Sequence, residues 1–183
     1  MCFMVTTFSV YEKEYEIKYY EQNLKGFLKE ACLLNFLQDA ATLSAETLGF
    51  GPSFVFENNY AWVVLRYHIE QYKPLKDLDS IKVRTEPRGV SKLYAFRDFE
   101  FYTKSGDLLG KAISTWALID KNSRRVLPTA KCLPMMLPFE KRETDIEYGK
   151  IEDLENISTS SLFDVRFDDI DVNLHANNSN YLM

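Results

Sequence analysis

The sequence is poor in the residues that interrupt regular structure and in those that build covalent or metal frameworks. It contains 7 glycines, 6 prolines, 3 cysteines and 2 histidines among 183 residues. Because glycine and proline are scarce while phenylalanine (13) and tyrosine (11) are plentiful, the composition argues against disorder and favours an ordered α+β protein. Hydrophobic residues make up 46% of the chain, which is enough for the core of one full globular domain.

The few cysteines are spaced too far apart to share a covalent or metal site. Cys2, Cys32 and Cys132 are odd in number and form no CxxC pair. Isolated thiols of this kind are typical of a reducing compartment and predict neither a disulfide framework nor a zinc site. Since no other cluster of metal-ligating residues has a suitable spacing, we expect neither a metal nor an organic cofactor.

Three further absences narrow the location and the partners. The opening residues, MCFMVTTFSVYEKEYEI, lack the basic segment and the uninterrupted apolar core of a signal peptide. No apolar run approaches the ~20 residues that cross a bilayer, and a net charge of -5 disfavours broad nucleic-acid binding. We expect a soluble, cytoplasmic protein that neither inserts into membranes nor binds nucleic acid. The sequence leaves open whether it forms a homo-oligomer.

One segment predicts a long buried helix. Residues 23–48 place apolar side chains at spacings of three and four, and further apolar side chains widen that surface beyond one stripe. A helix that is apolar over so much of its circumference has to be enclosed, so we expect a curved sheet around it. Gly49, Gly51 and Pro52 end the predicted helix.

Strands are predicted on both sides of this helix. One precedes it at 8–19, and those that follow are expected at 60–72, 80–86, 92–103, 108–119 and, as a short last strand, 124–127. Ser105, Gly106 and Asp107 have the composition of a hairpin turn. The nearly continuous apolar run at 108–119 is typical of a central strand with both faces buried. This order predicts an antiparallel sheet around one helix.

The periodic pattern of the sequence ends at Pro128. Between residues 128 and 148, three prolines and the charged stretch EKRETDIE interrupt any periodicity, which predicts a linker at 131–157. Alternation returns at 158–167 and predicts a strand that runs into the closing segment DIDVNLHANNSNYLM. The chain therefore divides into a first unit at 1–130, the linker, and the start of a second unit at 158–183.

An internal repeat supports the second unit. Residues 20–26 (YEQNLKG) align with residues 170–176 (IDVNLHA) at an offset of 150, and an acidic residue, Asn and Leu coincide at three positions. Each copy follows a strand-like segment, and the first copy precedes the long helix. The alignment places Lys25 where the second copy has His175, which indicates that only the second copy kept groups for chemistry.

The closing segment carries an ordered set of polar and apolar residues, namely Asp171, Asn173, His175, Asn177, Asn178, Tyr181 and Leu182. This set resembles the D-x-N-x-H-x-N-N-x-x-Y-[ILV] motif of the acyl-acyl-carrier-protein (acyl-ACP) thioesterases, the enzymes of plants and bacteria that release fatty acids from their carrier. Weaker similarity extends through the first unit at 62–69, 85–89 and 97–100. The resemblance implies a tandem hot-dog fold, α+β in class, in which a curved antiparallel sheet wraps around one long central helix in each of two units.

The resemblance covers only the front of such a protein. Members of the family continue through the second helix and its strands, and they place a further catalytic acid well downstream, which this chain lacks. We therefore expect the second unit to be present as its first strand and the start of its helix. We also expect the 183 residues alone to hydrolyse little or nothing.

The motif implies catalytic roles for Asp171, Asn173 and His175. Thioester hydrolysis needs an activated water or nucleophile, donors for the developing oxyanion and a dry pocket for the acyl tail. A neutral His175 before a helix start would serve as a base, since the helix dipole disfavours the imidazolium. Asn173 would donate to the carbonyl oxygen or hold a water. Asp171 would orient the other two side chains or act itself as base or nucleophile, and the sequence leaves these alternatives open.

The spacing imposes a condition on this site. In a fully extended segment, Asp171 and His175 would lie about 13 Å apart at ~3.3 Å per residue. Direct cooperation between them therefore requires the segment to curl into a loop that enters a helix.

Other residues are candidates for binding the substrate or the carrier protein. Trp62, Trp116, Asn177 and Asn178 are predicted to bind the substrate, although core packing for the tryptophans and turn or cap formation for the asparagines remain alternatives. The basic residues predicted to bind an acidic carrier protein are Arg124, Arg125 and Lys131, against the alternative of a solvated charge run.

The function that these features predict is hydrolysis of acyl-ACP thioesters in fatty acid biosynthesis, with acyl carrier protein as the partner. An acyl-CoA thioesterase or a dehydratase on the same fold is the alternative enzyme. A non-catalytic acyl-binding module is the alternative from another functional class.

Overall fold

The structure, a computed structural model, describes residues 10–135, 137, 148–152, 158–171 and 175–182. Its strands are β1 (Tyr11–Glu16), β2 (Tyr60–Gln71), β3 (Ser80–Val90), β4 (Tyr94–Thr103) and β5 (Leu108–Asp120). Its α-helices are α1 (Glu30–Thr47), α2 (Pro52–Glu57) and α3 (Thr129–Cys132), and 3-10 helices lie at Tyr19–Glu21, Phe167–Asp169 and Asn178–Leu182. The strands form one antiparallel sheet in the order β1-β3-β4-β5-β2.

Helix α1 packs into the core against one face of this sheet. Its buried residues recur at helical spacing, and Leu37 and Ala40 have no exposed surface. The sheet contributes the other half of the core through Ile81, Val83, Phe99, Phe101, Leu109 and Ala112. The predicted apolar helix packed against strands is thus confirmed. Although α1 has 18 residues, neither it nor any other helix in the described part of the chain is apolar enough to span a membrane.

The strand predictions for the middle of the chain are confirmed. β5 lies between β4 and β2, and most of its residues on both faces are buried. The predicted hairpin turn joins β4 to β5, with Gly106 at φ 95°, a left-handed conformation that glycine adopts at little cost. Gly110 allows β2 to approach closely, because a Cβ at this position would lie 2.3 Å from the carbonyl oxygen of Glu70.

The start of the long helix was predicted wrongly. α1 begins at Glu30 rather than at residue 23, and the residues before it form a closed loop in which Gln22 bridges Leu28. Gly26 has a φ of 78°, which a helix interior excludes. Leu28 is buried by its position in this loop, so its apolar character imitated helical periodicity.

Other boundaries also differ from the predictions. β1 ends at Glu16, before the 3-10 helix at Tyr19, and β3 continues past the predicted end to Val90 through a bulge between Pro87 and Gly89. The short strand predicted at 124–127 is reduced to one bridge between Ile119 and Val126.

The strand predicted at 158–167 is not formed. Residues 158–166 have no regular structure and are exposed, with Phe163 at 88% of its maximal accessible surface. Alternation predicts a strand only where a neighbouring strand accepts its backbone hydrogen bonds, and no strand pairs with these residues in the part of the chain that the structure describes. The division at 130 and 158 stays a prediction.

Candidate functional site

A closed loop at residues 18–29, the N-terminal loop, leads into α1. The backbone N–H of Asn23 donates to the carbonyl oxygen of Phe27 (2.8 Å), and the side-chain Oδ1 of Asn23 accepts the N–H of Phe27 in return (3.2 Å). The N–H of Lys29 donates to the carbonyl oxygen of Glu21 (2.9 Å). Helix α1 then starts at Glu30.

The same loop occurs again at residues 166–171 and 175–177, the C-terminal loop. The N–H of Asp171 donates to the carbonyl oxygen of His175 (2.8 Å), and Asp171 Oδ1 accepts the N–H of His175 (3.3 Å). The N–H of Asn177 donates to the carbonyl oxygen of Asp169 (2.8 Å), and a helical turn starts at Asn178. Each of these bonds lies 148 positions after its counterpart in the N-terminal loop.

This hydrogen-bond pattern corrects the alignment of the repeat. The offset is 148 rather than 150, so Asp171 corresponds to Asn23, and His175 corresponds to Phe27 rather than to Lys25. Matching Asn with Asn and Leu with Leu favoured the wrong register, whereas the positions that close the loop define the right one. The second copy thus has a carboxylate where the first has an amide.

Asp171 and His175 lie close together, as the proposed cooperation between them requires. Two hydrogen bonds join Asp171 to the backbone of His175, so these two residues are much nearer than the separation of an extended strand. His175 is exposed. Asn173 lies outside the described residues.

An ion pair holds the start of this loop. Arg166 donates from its backbone N–H and from Nη2 to the two carboxylate oxygens of Asp169, each at 2.8 Å. The hydrogen bond from the Arg166 side chain holds the pKa of Asp169 below its usual range. The resulting stabilisation is present above the unfolded-state pKa of Asp169 and is lost as the pH falls through the lower folded-state value.

The helical turn at Asn178–Leu182 lies against α1. Asn177 caps this turn, since its Oδ1 accepts the backbone N–H of Ser179 at 3.1 Å and the Ser179 hydroxyl at 3.2 Å. The amide of Asn178 is buried, and neither its oxygen nor its nitrogen has a hydrogen-bond partner within the described residues.

A cavity of about 990 Å³ lies between α1, α2, the sheet and the C-terminal loop. Ala41 and Ala45 of α1 form one wall, and the sheet supplies Trp62, Trp116 and Ala95 on the other. Asp171 and Asn177 of the C-terminal loop border it, as does Lys121 at the end of β5. Its volume lies near the upper end of the ~300–1,000 Å³ typical of ligand pockets.

The two tryptophans present their ring surfaces to this cavity while their polar edges are satisfied by the protein. Trp62 Nε1 donates to the carbonyl oxygen of Phe50 (2.9 Å), and Trp116 Nε1 donates to Ser114 Oγ (2.7 Å). Because neither indole N–H is left for a ligand, the contribution of both side chains to the cavity is apolar contact.

The structure brings some predicted site residues together and separates others. Asp171, Asn177, Trp62 and Trp116 share the cavity, whereas His175 and Asn178 are not on its wall in the described part of the chain. The basic residues Arg124, Arg125 and Lys131 are all exposed.

Two cationic residues of the cavity wall were missed from the sequence. Lys121 follows β5 in a turn and carries no local signal. Arg97 lies on the inner face of β4, in line with the buried Phe99 and Phe101, and its Nη1 donates to Ser44 Oγ (3.0 Å) and Thr85 Oγ1 (3.2 Å). Burial lowers the pKa of Arg97 to about 10, so it remains charged at neutral pH.

Comparison with known proteins identifies relatives of this chain. Residues 9–132 match the acyl-ACP thioesterase N-terminal domain, and residues 152–183 match the acyl-ACP thioesterase C-terminal domain. The oleoyl-acyl carrier protein thioesterase 2, chloroplastic, of Arabidopsis thaliana is 24% identical over 191 residues, which cover 94% of this chain and 52% of the relative. The chain thus spans about half the length of the curated relatives that it matches.

Solved structures agree with this assignment. An acyl-ACP thioesterase from Bacteroides thetaiotaomicron superposes with a TM-score of 0.75 at 26% identity, over 94% of this chain and 70% of its own. The 12:0-ACP thioesterase from Umbellularia californica gives 0.72 at 22% identity, over 94% and 67%. The α+β hot-dog fold is confirmed, and the chain belongs to the acyl-ACP thioesterase family.

Proposed function

We propose that this chain supplies the acyl cavity and the reacting loop of an enzyme that hydrolyses acyl-ACP thioesters and releases the free fatty acid. The observation that carries the proposal is the cavity of about 990 Å³, which α1 and the sheet line mainly with apolar side chains, with the carboxylate-bearing loop of the second copy at its border. The family membership of the chain agrees with this activity.

The acyl chain binds between α1 and the sheet. There it contacts the small side chains of Ala41 and Ala45 on one side and the rings of Trp62 and Trp116 on the other. Each methylene removed from water contributes about 0.8 kcal/mol, so the chain supplies most of the binding free energy. The reacting carbonyl is left at the end of the cavity where the C-terminal loop lies.

Asp171 activates the attacking water. It is the predicted acidic site residue on the cavity wall, and its hydrogen bonds to the backbone of His175 fix the loop that carries it. In this scheme the carboxylate accepts a proton from the water, the new C–O bond forms, the C–S bond breaks, and the carrier thiol takes the proton. Asn173 keeps its predicted role as donor to the carbonyl oxygen, and the exposed His175 passes to solvent the proton that the carboxylic acid product releases.

The carrier protein docks on the cationic surface beside the cavity. Lys121 borders the cavity, the exposed Arg124 and Arg125 follow it in the same turn, and Lys131 is exposed in α3. Cationic side chains at this position attract an acidic carrier and accelerate association in a salt-dependent manner. The cytoplasmic location stays a prediction.

The experiment that tests this function compares two thioesters of the same acyl group. We expect the full-length protein to hydrolyse dodecanoyl-ACP with a higher kcat/KM than dodecanoyl-CoA, and we expect this preference to shrink as the salt concentration rises. Equal rates, or faster hydrolysis of the CoA ester, would indicate an acyl-CoA thioesterase. Binding of dodecanoyl-ACP without turnover would indicate an acyl-binding module.

Filling the cavity from α1 should shorten the preferred acyl chain. Ala45→Phe introduces a ring into the wall opposite Trp62. We expect kcat/KM for the longest good substrate to fall by roughly ten- to two-hundredfold for each methylene that no longer fits, while shorter chains are retained. The measurement is kcat/KM across acyl-ACPs of increasing length.

Asn35→Phe is the matched control, because Asn35 lies on the exposed side of the same helix. This variant should keep the wild-type chain-length profile. If both variants shift the profile alike, or neither does, the chain does not bind along this wall.

A further inference from the structure

The short helix α2 places an apolar ring at the mouth of the cavity. Phe56 borders the cavity, yet it is 84% exposed, so most of the ring surface faces solvent. Within the described residues it stacks on no other aromatic ring. Phe54 of the same helix, by contrast, packs against Tyr60 with ring centroids 6.0 Å apart. Single exposed apolar side chains are common on protein surfaces, so the significance of Phe56 depends on what surrounds it.

The surroundings of Phe56 are cationic. Two backbone hydrogen bonds connect it to the turn after β5. The N–H of Asn59 donates to the carbonyl oxygen of Phe56 (3.2 Å), and the N–H of Lys121 donates to the carbonyl oxygen of Asn59 (3.0 Å). Lys121 borders the same cavity, and the exposed Arg124 and Arg125 follow it in the turn. An exposed ring and several cations therefore lie together beside the opening of the cavity.

The chain itself leaves these cations without a counter-charge. Residues 121–131 contain four basic and no acidic residues, although the net charge of the whole chain is -5. None of these basic side chains forms an ion pair within the described residues. The neighbouring carboxylate of Asp120 is engaged inside the turn, where it accepts the backbone N–H (2.6 Å) and the hydroxyl (2.7 Å) of Ser123. This surface therefore attracts an acidic partner, which the excess negative charge elsewhere disfavours.

We propose that Phe56, Lys121, Arg124 and Arg125 form one docking patch for the acyl carrier protein, in which the ring of Phe56 is the apolar anchor. The patch fits an acidic surface that presents an apolar side chain among its carboxylates. This inference rests on the proposed function, which supplies the carrier as the partner, and it adds a contact that charge alone does not provide. Aromatic side chains buried on association carry a large share of the binding free energy, whereas cations at the rim mainly accelerate the encounter.

The position of the docking patch connects carrier binding with entry of the acyl chain. Val55 precedes Phe56 in α2, is half-buried and lines the cavity. The helix thus contributes one side chain to the cavity wall and exposes the next one at the rim. A carrier protein seated on Phe56 and Lys121 has its acyl arm at the opening, since both residues border the cavity.

Kinetics of the full-length protein on three thioesters of the same acyl group test the inference. Dodecanoyl-ACP, dodecanoyl-CoA and dodecanoyl-pantetheine share the reacting bond, but the first has a protein carrier, the second a nucleotide and the third neither. We expect Phe56→Ala to lower the ratio of kcat/KM for the ACP ester to that for the pantetheine ester by about five- to thirtyfold, as loss of an interface anchor implies. The change should lie in KM and persist at high salt, which screens the cations but not the apolar contact.

Three further variants separate the anchor from other effects. Val55→Ala removes apolar surface from the cavity wall, so it should lower kcat/KM for all three esters alike and keep the ratio. Tyr19→Ala removes an aromatic side chain that is 94% exposed and does not line the cavity, and it should also keep the ratio. Glu57→Lys reverses an exposed charge next to Phe56 and should raise the ratio at low salt.

The outcomes distinguish this inference from the proposed function. A ratio that survives Phe56→Ala overturns the anchor, and equal losses on all three esters would assign Phe56 to the acyl chain instead. A loss confined to the CoA ester would assign it to the nucleotide. Weaker binding of Phe56→Ala to phosphatidylglycerol vesicles, with an unchanged ratio, would assign the patch to a lipid surface. All four results leave hydrolysis intact, whereas a wild-type protein that hydrolyses none of the esters overturns the proposed function itself.

Discussion

Replacing Asp171 by alanine is expected to lower kcat/KM for acyl-ACP hydrolysis by about 10²- to 10⁴-fold in the full-length protein, the range for loss of a general base. The carboxylate is the predicted acid on the cavity wall, and it also accepts the backbone N–H of His175. Because the proposed proton transfer to Asp171 stabilises only the transition state, we expect kcat to fall and KM to change little. Steady-state kinetics on dodecanoyl-ACP measure both.

The internal repeat supplies a matched control for this variant. Asn23 occupies the equivalent position in the N-terminal loop and accepts the N–H groups of Lys25 and Phe27, but it does not line the cavity. Asn23→Ala removes the same kind of loop contact, so it should destabilise the fold to a similar small extent and leave kcat near the wild-type value. Equal losses of kcat in the two variants would show that Asp171 acts only by holding its loop.

Leu37→Ala is expected to reduce the free energy of unfolding by about 2–5 kcal/mol. Leu37 lies in the middle of α1, on the side that packs against the sheet, and its side chain is fully buried. Because alanine is at least as good a helix former as leucine, the loss reports packing and not helix propensity. Urea unfolding measures it as a shift of the midpoint at constant m-value.

Asn35→Ala is the control on the exposed side of the same helix and should change stability by no more than ~0.5 kcal/mol. If Leu37→Ala reduced stability as little as Asn35→Ala, α1 would not pack into the core against the sheet.

The parts of the fold that the sequence predicted well are those with a strong pattern over many residues. The apolar spacing of α1 and the apolar run of β5 reflect burial on most sides, and both were found. Boundaries depended on contacts that no local pattern reveals. The start of α1 is set by the loop closed through Asn23, and the segment 158–166 alternates without a strand beside it in the described residues.

The candidate site was predicted in part for the same reason. Asp171, Asn177, Trp62 and Trp116 reach one cavity because the second copy of the loop lies beside α1 and the sheet of the first. Arg97 was missed because its charge falls on a strand face that is otherwise apolar. Its burial on the same face as Phe99 and Phe101 shows that this side chain turns inward.

The most direct test is a crystal structure of the full-length protein with a dodecanoyl-pantetheine amide, in which an amide replaces the scissile thioester. We predict that the acyl chain lies between α1 and the sheet, within about 4 Å of Trp62 and Trp116, with the amide carbonyl beside Asp171 and Asn177. An acyl chain bound outside this cavity, or a carbonyl remote from the C-terminal loop, would contradict the claim that the first unit binds the acyl chain and the C-terminal loop carries the reacting groups.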